Sequence, residues 1–369
     1  MYSDILFLIK KNLYLFKRLN KYRKKLEIKK KSTIKDIANA LDLTPSAVSK
    51  ALSDHPRISD KTKEAVRQMA IELDYQPNYL SSALRKGKSN LVGVIIPRVN
   101  SNFFSSVVQE MEDVLNANGY NMVMTQSNEL YKKECQSIDS LLGIQVDGII
   151  ASMANETINL EYYEKIKSKG VTLILFDRGE DELNVDYVGI DDYKSSHLIV
   201  EHLVSQNCKR IAHIAGFNHI RIYKDRIIGF RDAMEKARLP IQEEMIIESN
   251  LRVEDGRRIM KELLALPERP DAVYAAGDYA ALGALQVLLE EGIKVPEEIA
   301  LVGFSDEPFT SLAKPSISTI NQHSTQIGKL AAEAFLERMK NPKKKTSLNK
   351  IILTPELIIR ESSSKKVLY

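Results

Sequence analysis

From Leu91 to Thr354, short apolar runs rich in Val and Ile alternate with longer stretches of helical periodicity. Runs of this length predict buried β-strands, and a helix between successive strands is typical of parallel sheets covered on both faces. About ten such runs occur, which is too many for one small doubly wound sheet. The predicted strands are Leu91–Ile96, Asn121–Met124, Gly148–Ala151, Val171–Phe176, Tyr187–Ile190, Ile211–Ala215, Met245–Glu248, Ala272–Ala275, Ile299–Phe304 and Ile351–Thr354.

Amphipathic helical patterns separate these strands. They include Phe104–Asn118, Lys194–Gln206, Ile227–Ala237, Val253–Leu266, Ala280–Glu291 and Gln326–Lys340. Two lobes, each a Rossmann-like parallel sheet, accommodate this number of strands. We therefore expect an α/β body of two lobes, with a ligand between them at the carboxyl ends of the strands.

Ahead of the body, the segment Thr33–Ser53 (TIKDIANALDLTPSAVSKALS) contains two short helical patterns around a tight turn. Thr33 is a candidate N-cap, and Asp36 stands three residues later, as a capping box requires. Thr44 is the next candidate N-cap, and Pro45 follows at the first helical position, where its missing N–H costs nothing. The segment predicts a helix-turn-helix.

The second of these helices has an apolar face and a small polar face. Its inward residues are Ala47, Val48, Ala51 and Leu52, and its outward residues are Ser46, Ser49, Lys50 and Ser53. A polar helix with one basic residue and little side-chain bulk is suited to the major groove of DNA. Because other three-helix domains share this spacing, the pattern alone leaves DNA binding open.

A third helical pattern follows Ser59, and the motif DYQPN (Asp74–Asn78) comes after it. With TIKDIA, SAVSKAL, ISDKTKEAV and SSALRKGKS, this chain resembles the lactose-repressor/galactose-repressor family of bacterial transcription regulators. The matching stretches keep the family's order and spacing, from about Thr33 to Ser362. The resemblance implies a three-helix head, a hinge helix that folds on operator DNA, and a bilobed body with the fold of periplasmic sugar-binding proteins.

This organisation predicts the domain boundaries. The expected segments are 1–31, a basic extension; 32–75, the helix-turn-helix head; 76–88, the hinge helix and linker; 89–362, the effector-binding and dimerisation body; and 363–369, a tail. Within the body, the first lobe is expected to comprise 89–189 and 321–342. The second lobe is expected to comprise 190–320 and 343–362, with three crossovers as the hinge.

Residues 1–31 lie outside the resemblance and carry 11 Lys and Arg against 2 Asp and Glu. The apolar run Ile5–Ile9 is short and is interrupted by two lysines, which argues against a signal peptide or membrane span. Three interpretations stay open: a disordered basic arm on phosphates, an amphipathic helix at a membrane or partner, or a mis-annotated start. The last is favoured, with the chain beginning nearer Leu26 or Lys31.

The head suggests a division of DNA contacts. Expected base contacts are Pro45, Ser46, Ser49 and Lys50, and expected phosphate contacts are Thr33, Thr44, Arg57 and Asn78. By the resemblance, Leu84 would be an apolar wedge that kinks the minor groove; the alternative is an ordinary linker residue. A homodimer would present two heads to a pseudopalindromic operator.

Polar residues follow several predicted strands, where a cleft ligand would sit. The expected effector-binding residues are Asn102, Phe103, Asp177, Arg226, Asp278, Ser305 and Asp306. The resemblance implies ligand contacts at Asp177, Arg226, Asp278 and the 305–306 pair. The chain departs from the family where Gly277 replaces the usual Asn and where Ser305 replaces a frequent Asp, which puts the ligand's identity in doubt.

Carboxylates, a buried Arg and aromatic faces form a sugar-binding set, because they match paired hydroxyls and the C–H face of a sugar ring. A purine or nucleoside would use similar residues. Structural alternatives exist for several positions: Asp191 and Asp306 as helix caps, Asp177 and Arg178 as a surface pair, and Phe103 and Phe104 as core residues.

No catalytic motif, metal-ligand spacing or cofactor motif is found in the sequence. Cys135 and Cys208 are expected to be reduced core thiols of a cytoplasmic protein. We therefore predict a ligand-responsive transcription regulator, a repressor rather than an enzyme, without cofactors. It would act as a homodimer, and a dimer is expected over a tetramer because the residues after Arg360 show no obvious leucine heptad. The alternatives are a solute-binding protein or sugar enzyme, and a regulator whose vestigial cleft is replaced by a protein partner.

Overall fold

The computed structural model describes residues 32–75, 88–340 and 348–365. The chain divides into two units, a head that ends at Ser82 and a body that begins at Ala83. The predicted extension 1–31 and residues 76–87 of the predicted hinge segment 76–88 lie outside the described residues. No helix among the described residues is long and apolar enough to cross a membrane.

The head is a three-helix domain. Its helices are α1 (Ile34–Ala40), α2 (Pro45–Leu52) and α3 (Asp60–Glu72). The core lies where the three apolar faces meet. Its buried residues are Ile37 and Ala38 of α1, Val48 and Ala51 of α2, and Val66 of α3. The predicted helix-turn-helix is therefore present, with α2 as its second helix.

Side-chain caps begin each helix of the head. The Asp36 carboxylate accepts the Thr33 N–H and the Thr33 hydroxyl, both at 2.7 Å. The Thr44 hydroxyl accepts the Ala47 N–H at 3.1 Å, and the Ser59 hydroxyl accepts the Thr62 N–H at 3.2 Å. These bonds satisfy helix-terminal N–H groups that otherwise lack a partner.

The body alternates strands and helices along most of its length. Its strands are β1 (Leu91–Ile96), β2 (Asn121–Gln126), β3 (Gly148–Ala151), β4 (Thr172–Phe176), β5 (Asp186–Ile190), β6 (Ile211–Ala215), β7 (Ile246–Glu248), β8 (Ala272–Ala275), β9 (Ala300–Val302), β10 (Thr319–Asn321), β11 (Lys350–Leu353) and β12 (Glu356–Ile358). Its helices are α4 (Asn102–Ala117), α5 (Tyr131–Gly143), α6 (Glu161–Ser168), α7 (Asp192–Ser205), α8 (Arg221–Lys236), α9 (Val253–Leu264), α10 (Asp278–Glu290), α11 (Phe309–Leu312) and α12 (Ser324–Lys340).

Two parallel sheets define the two lobes of the body. The first sheet has the order β11-β5-β4-β3-β1-β2 and the second has the order β7-β6-β8-β9. Helices α4 and α12 cover one face of the first sheet, and α5 and α6 cover the other. Helices α7 and α8, and then α9 and α10, cover the second sheet in the same way. The inner strands of both sheets are buried on both faces, as their apolar sequences predicted, whereas the edge strands β2, β7 and β11 are partly exposed.

The chain passes between the lobes three times. It leaves the first lobe after β5, returns with α12, and crosses again after β11 to pack a short 3₁₀ turn, Glu361–Ser363, against β9. The antiparallel pair β10 and β12 lies at these crossings. The first two passages fall near the expected boundaries at residues 190 and 321, whereas the third comes after Leu353 and not at residue 343.

Two of the expected domain assignments need correction. Strand β11 belongs to the first lobe and not to the second, because it pairs in parallel with β5, with Ile351 opposite Val188. The body also continues past residue 362, because Ser363 is fully buried. Its hydroxyl lies 2.7 Å from His202 Nε2 and 2.6 Å from the Ser318 hydroxyl.

Most predicted elements agree with the structure to within one or two residues at each end. The largest difference is α8, which was predicted from Ile227 but begins at Arg221. The charged run at residues 224–226 obscured the apolar pattern there, although Ile222 and Tyr223 are buried. The short strands β10 and β12 were not predicted.

Candidate functional site

Helix α2 of the head presents a small polar surface. Val48 is fully buried, whereas Pro45, Ser46 and Lys50 are exposed and Ser49 is partly exposed. The face expected to meet DNA bases is therefore the face that packing leaves uncovered. A helix that exposes little bulk can approach base edges in a major groove.

Three of the four expected phosphate contacts lie in the described part of the head. Thr33, Thr44 and Arg57 are all exposed. Thr44 uses its hydroxyl oxygen as the cap of α2, which leaves its hydroxyl hydrogen free to donate. Asn78 and Leu84, the expected phosphate contact and minor-groove wedge, lie outside the described residues.

In the body, a cavity lies between the lobes at the carboxyl ends of the strands. It holds about 510 Å³ of space, part of it open to solvent. We call it the inner cavity. Its lining residues are Arg98, Ser101, Phe103, Phe104, Asp177, Arg178, Ile222, Tyr223, Arg226, Leu251, Ala276, Gly277, Asp278, Tyr279, Ser305, Glu307 and Gln322.

Five of the seven expected effector-binding residues line this cavity: Phe103, Asp177, Arg226, Asp278 and Ser305. The remaining two do not. The Asn102 backbone N–H donates to Glu307, and the Asp306 carboxylate pairs with Arg360 at 2.7 Å. Phe103 and Phe104 are both buried and lining, so they serve the core and the cavity together.

Arg226 lines the cavity and is almost fully buried. Its Nε donates to Asp192 at 2.8 Å and its Nη1 donates to the Ala276 carbonyl at 2.9 Å. The guanidinium carbon lies 3.5 Å from the centre of the Phe304 ring. Burial raises the pKa of Asp192 to about 6, even though Arg226 acts in the opposite direction. The two hydrogen bonds and the contact with Phe304 hold the guanidinium group in one orientation.

Asp177 follows β4 directly, with a left-handed φ of 56°. Its carboxylate accepts the Ser152 hydroxyl at 3.3 Å, and its carbonyl accepts the Tyr187 hydroxyl at 2.6 Å. Burial raises the pKa of this carboxyl, and nearby Arg178 and Arg226 oppose that rise. A backbone conformation of this kind is retained where the surrounding structure fixes it, often at binding sites.

Asp278 begins α10 and is buried. Its carboxylate accepts the Glu307 N–H and the Thr319 hydroxyl, each at 2.8 Å. Burial raises its pKa to about 7. Gly303 makes room for this side chain, since a Cβ there would lie 2.2 Å from Asp278 Oδ1. Asp278 therefore holds the loop after β9 as well as lining the cavity.

Glu307 was not among the expected residues. It comes from the second lobe and accepts the Ser101 hydroxyl at 2.9 Å and the Asn102 N–H at 3.1 Å. Both donors lie at the beginning of α4 in the first lobe, so one carboxylate from the second lobe caps a helix of the first. The signal in the sequence was the acidic run after β9, in which Asp306 was chosen instead.

The structural alternative that made Asp177 and Arg178 a surface pair is wrong. The side chain is buried, and its Nη1 donates to Glu129 at 2.6 Å while its Nη2 donates to the Tyr223 hydroxyl at 3.2 Å. Glu129 lies 49 residues earlier in the chain. Attraction to Arg178 lowers the pKa of Glu129 despite the opposing effect of burial.

Further polar contacts join the lobes around the cavity. The Tyr279 hydroxyl donates to the Asn100 carbonyl at 3.2 Å, and Arg221 pairs with Asp181 at 3.1 Å. With the bonds of Glu307 and Arg178, these contacts hold the lobes together over the inner cavity. Cys135 and Cys208 are buried free thiols, as expected. No cluster of His, Cys, Asp and Glu in the described ranges could hold a metal ion.

Comparisons with known proteins cover both units. The family model "Bacterial regulatory proteins, lacI family" matches residues 33–78, and a periplasmic binding protein-like domain matches residues 200–363. The HTH-type transcriptional regulator DegA of Bacillus subtilis (strain 168) is 31% identical over 335 residues, which is 90% of this chain and 98% of DegA.

Solved structures show the same likeness. The cellobiose complex of the transcriptional regulator CelR is 26% identical, covers 90% of this chain and 100% of that chain, and gives a TM-score of 0.68. The operator-bound dimer of the Lac repressor with the anti-inducer ONPF is 22% identical, covers 90% of this chain and 99% of that chain, and gives a TM-score of 0.80. The second likeness concerns the fold alone and confirms the predicted bilobed architecture.

Proposed function

This chain belongs to the lacI family of bacterial regulatory proteins, and we propose that a small neutral sugar in its inner cavity controls its affinity for operator DNA. The chain is a DNA-binding transcriptional repressor with a periplasmic-binding-protein-like body. Its relatives are transcription regulators and not enzymes, which confirms the corresponding prediction.

On the DNA side, we assign base contacts to the exposed face of α2. Ser46 and Lys50 would donate to base edges, with Ser49 beside them and Pro45 against a thymine methyl. Thr33, Thr44, Arg57 and Asn78 would hold phosphates, and Leu84 would wedge into the minor groove. A homodimer in the cytoplasm would place two heads on a pseudopalindromic operator.

The observation that carries the sugar assignment is the composition of the inner cavity. A buried guanidinium group, Arg226, and buried carboxylates, Asp177 and Asp278, line the same space as Phe103 and Tyr223. Hydroxyl pairs of a sugar fit charged donors and acceptors, and the C–H face of its ring fits an aromatic side chain. An apolar ligand would exclude water from these charged groups without supplying a hydrogen bond in return, at a high cost.

The charge of the cavity favours a neutral sugar over a sugar acid or a sugar phosphate. Carboxylates outnumber guanidinium groups at and directly behind the lining. The guanidinium groups are Arg98, Arg178 and Arg226, and the carboxylates are Glu129, Asp177, Asp192, Asp278 and Glu307. Even with Asp278 counted as neutral, because its pKa is raised to about 7, four carboxylates face three guanidinium groups. An additional negative charge on the ligand would therefore be unfavourable in this poorly solvated space.

Control would act through lobe closure. A sugar that contacts both lobes binds the closed state more tightly than the open state and shifts the population between them. In the dimer, closure would move the segments that carry the heads and change operator affinity. A coupling of about 1–3 kcal/mol, or about 5- to 150-fold in affinity, is enough for such a switch.

The test uses the full-length chain and a DNA duplex selected by it from a random-sequence library. Fluorescence anisotropy would measure the duplex affinity with neutral monosaccharides, disaccharides, sugar phosphates, nucleosides and purines in turn. A neutral sugar should change the affinity within the range above. The Asp177→Asn variant should lose that response, whereas Asp191→Asn, which changes a helix cap outside the cavity, should keep it.

Other outcomes discriminate between the alternatives. A response to nucleosides or purines alone would contradict the sugar assignment and move the effector to that class. A panel without any response, together with intact duplex binding, would contradict control by these small molecules. That result would favour a regulator whose cleft is vestigial and whose DNA binding is controlled by a protein partner.

A further inference from the structure

Helix α2 of the head ends in a turn with a defined hydrogen-bond pattern. The Asp54 N–H donates to the Ala51 carbonyl at 3.2 Å. The His55 N–H donates to the Lys50 carbonyl at 3.0 Å, and Asp54 has a left-handed φ of 52°. This pattern is the Schellman motif, which satisfies the last carbonyls of a helix and fixes the direction in which the chain leaves it.

The left-handed position of this motif is held by a side chain from the next helix. Glycine is the usual residue at such a position, although Asp adopts it more readily than most residues do. Here the Asp54 carboxylate forms an ion pair with Arg67 of α3. The turn after α2 is therefore bonded to both of the helices that flank it.

The side chain of His55 extends this order to Arg57. Its Nδ1 accepts the Arg57 N–H at 3.2 Å, and Pro56, which has a restricted φ, lies between the two residues. Because Nδ1 accepts this N–H, the neutral imidazole carries its proton on Nε2. The ring takes the place of the side-chain oxygen in an Asx turn, where Asn or Asp accepts the N–H two residues later in the chain.

The charged group of Arg57 is available to a partner from outside the protein. Arg57 is exposed, and its guanidinium group has no ion pair or hydrogen bond within the part of the chain that the structure describes. The carboxylate of Asp54, three residues earlier, is paired with Arg67 instead. A backbone that is fixed before binding lowers the entropy that a contact costs, so the bond to His55 favours a phosphate contact of Arg57.

We infer that His55 is a positioning residue for DNA binding and acts through Arg57. This inference rests on the proposed phosphate contact of Arg57. The imidazole Nδ1 holds the Arg57 backbone in the conformation from which the guanidinium group reaches a phosphate. His55 therefore raises the affinity for DNA without a contact of its own with the duplex.

Fluorescence anisotropy on the full-length protein would test this with the selected duplex and a random duplex. His55→Ala removes the acceptor and keeps the backbone bonds of the turn. It should weaken binding about 2- to 10-fold, which is the net effect of one hydrogen bond. Both duplexes should lose affinity by the same factor, because phosphate contacts carry no sequence information. The salt dependence, as the slope of log K against log [salt], should fall by up to about 0.9, the value for one phosphate.

Further variants separate positioning from other roles. His55→Asn restores an acceptor for the N–H two residues later and should recover the original affinity. His55→Ala should have no additional effect in a protein that already carries Arg57→Ala, because nothing is left to position. The control is Gln68→Ala, which removes a bond to Glu72 within α3 and should change neither affinity nor salt dependence. All affinities are measured below the melting temperature of every variant.

Four outcomes would overturn the inference. If Arg57→Ala changes neither affinity nor salt dependence, the phosphate contact of Arg57 is wrong, and the inference fails with it. If Arg57→Ala weakens binding and His55→Ala does not, only the positioning role is wrong. A loss in His55→Ala that persists in full beside Arg57→Ala would assign His55 its own contact with DNA or a role in folding. A loss confined to the selected duplex would place the effect of His55 on α2 rather than on Arg57.

Discussion

Glu307 allows lobe closure to be perturbed at one side chain. Its carboxylate accepts the Ser101 hydroxyl at 2.9 Å and the N–H groups of Asn102 and Phe103 at 3.1 and 3.4 Å. Two of these donors are the first N–H groups of α4, which have no partner within the helix. In the open body the same donors would turn to water, so the bonds stabilise the closed state specifically.

The Glu307→Gln variant should weaken this closed state by about 2–3 kcal/mol. A hydrogen bond to a buried charged group contributes about 1.5–3 kcal/mol, and a negative charge at a helix N-terminus adds about 0.3–1 kcal/mol. Glutamine keeps one acceptor oxygen but loses the charge and presents an amide N–H₂ to the second donor. The closed-to-open ratio should therefore fall roughly 30- to 150-fold.

Amide hydrogen exchange at Asn102 and Phe103 measures this change in the closed-to-open ratio. Their N–H groups should exchange faster in Glu307→Gln by the same factor, while amides in the centre of α4 stay protected. The matched control is Asp306→Asn, which alters the neighbouring carboxylate that pairs with Arg360 within the second lobe and its crossings. Unchanged exchange at Asn102 and Phe103 in Glu307→Gln would refute Glu307 as a determinant of closure.

Three further changes test other parts of the molecule. Lys50→Ala should weaken binding to the selected operator duplex more than binding to random DNA, in anisotropy at fixed salt; equal losses would reassign Lys50 to phosphates. Val48→Ala removes two buried methyl groups from the core of the head and should lower the free energy of unfolding of the head by about 1–3 kcal/mol. Operator binding should then be lost at elevated temperature, while the melting transition of the body stays unchanged. Because the pKa of Asp278 is raised to about 7, the folded protein binds this proton more tightly than the unfolded chain, so the carboxyl lowers the stability as the pH rises from about 4 to about 7. The melting temperature of Asp278→Asn should therefore fall less over that range. Parallel pH profiles of the two proteins would contradict the raised pKa of Asp278.

Much of the architecture was readable from short stretches of sequence. Thr44 and Ser59 cap their helices, as Thr and Ser commonly do. These caps were predictable because the hydroxyl acceptor and the N–H donor are only three residues apart in the chain. The strands at Leu91–Ile96 and Ile211–Ala215 were predicted with the observed bounds, since each is a short segment made almost entirely of apolar residues. The position of Asp177 after β4 followed from the same periodicity.

Long-range pairing was not readable in this way. The sequence predicts a strand at Ile351–Thr354, but only packing decides that this strand, observed at Lys350–Leu353, joins β5. Likewise, the sequence around Arg178 is compatible with a surface position. In the structure its Nη1 lies 2.6 Å from the carboxylate of Glu129, which comes from another strand-end loop. A charged side chain is buried when a partner compensates its lost hydration, and the partner here is not a sequence neighbour.

The sequence by itself determined the three-helix head, the alternating body and the strand ends at which a ligand site lies, because these depend on periodicity and caps within a few residues. Only the tertiary structure decided which acidic residue after β9 meets the first lobe. Ser305 and Asp306 both have left-handed φ, which turns Asp306 toward Arg360 and leaves Glu307 facing α4, 204–206 residues earlier in the chain. That choice depends on the meeting of two lobes, which no local pattern encodes.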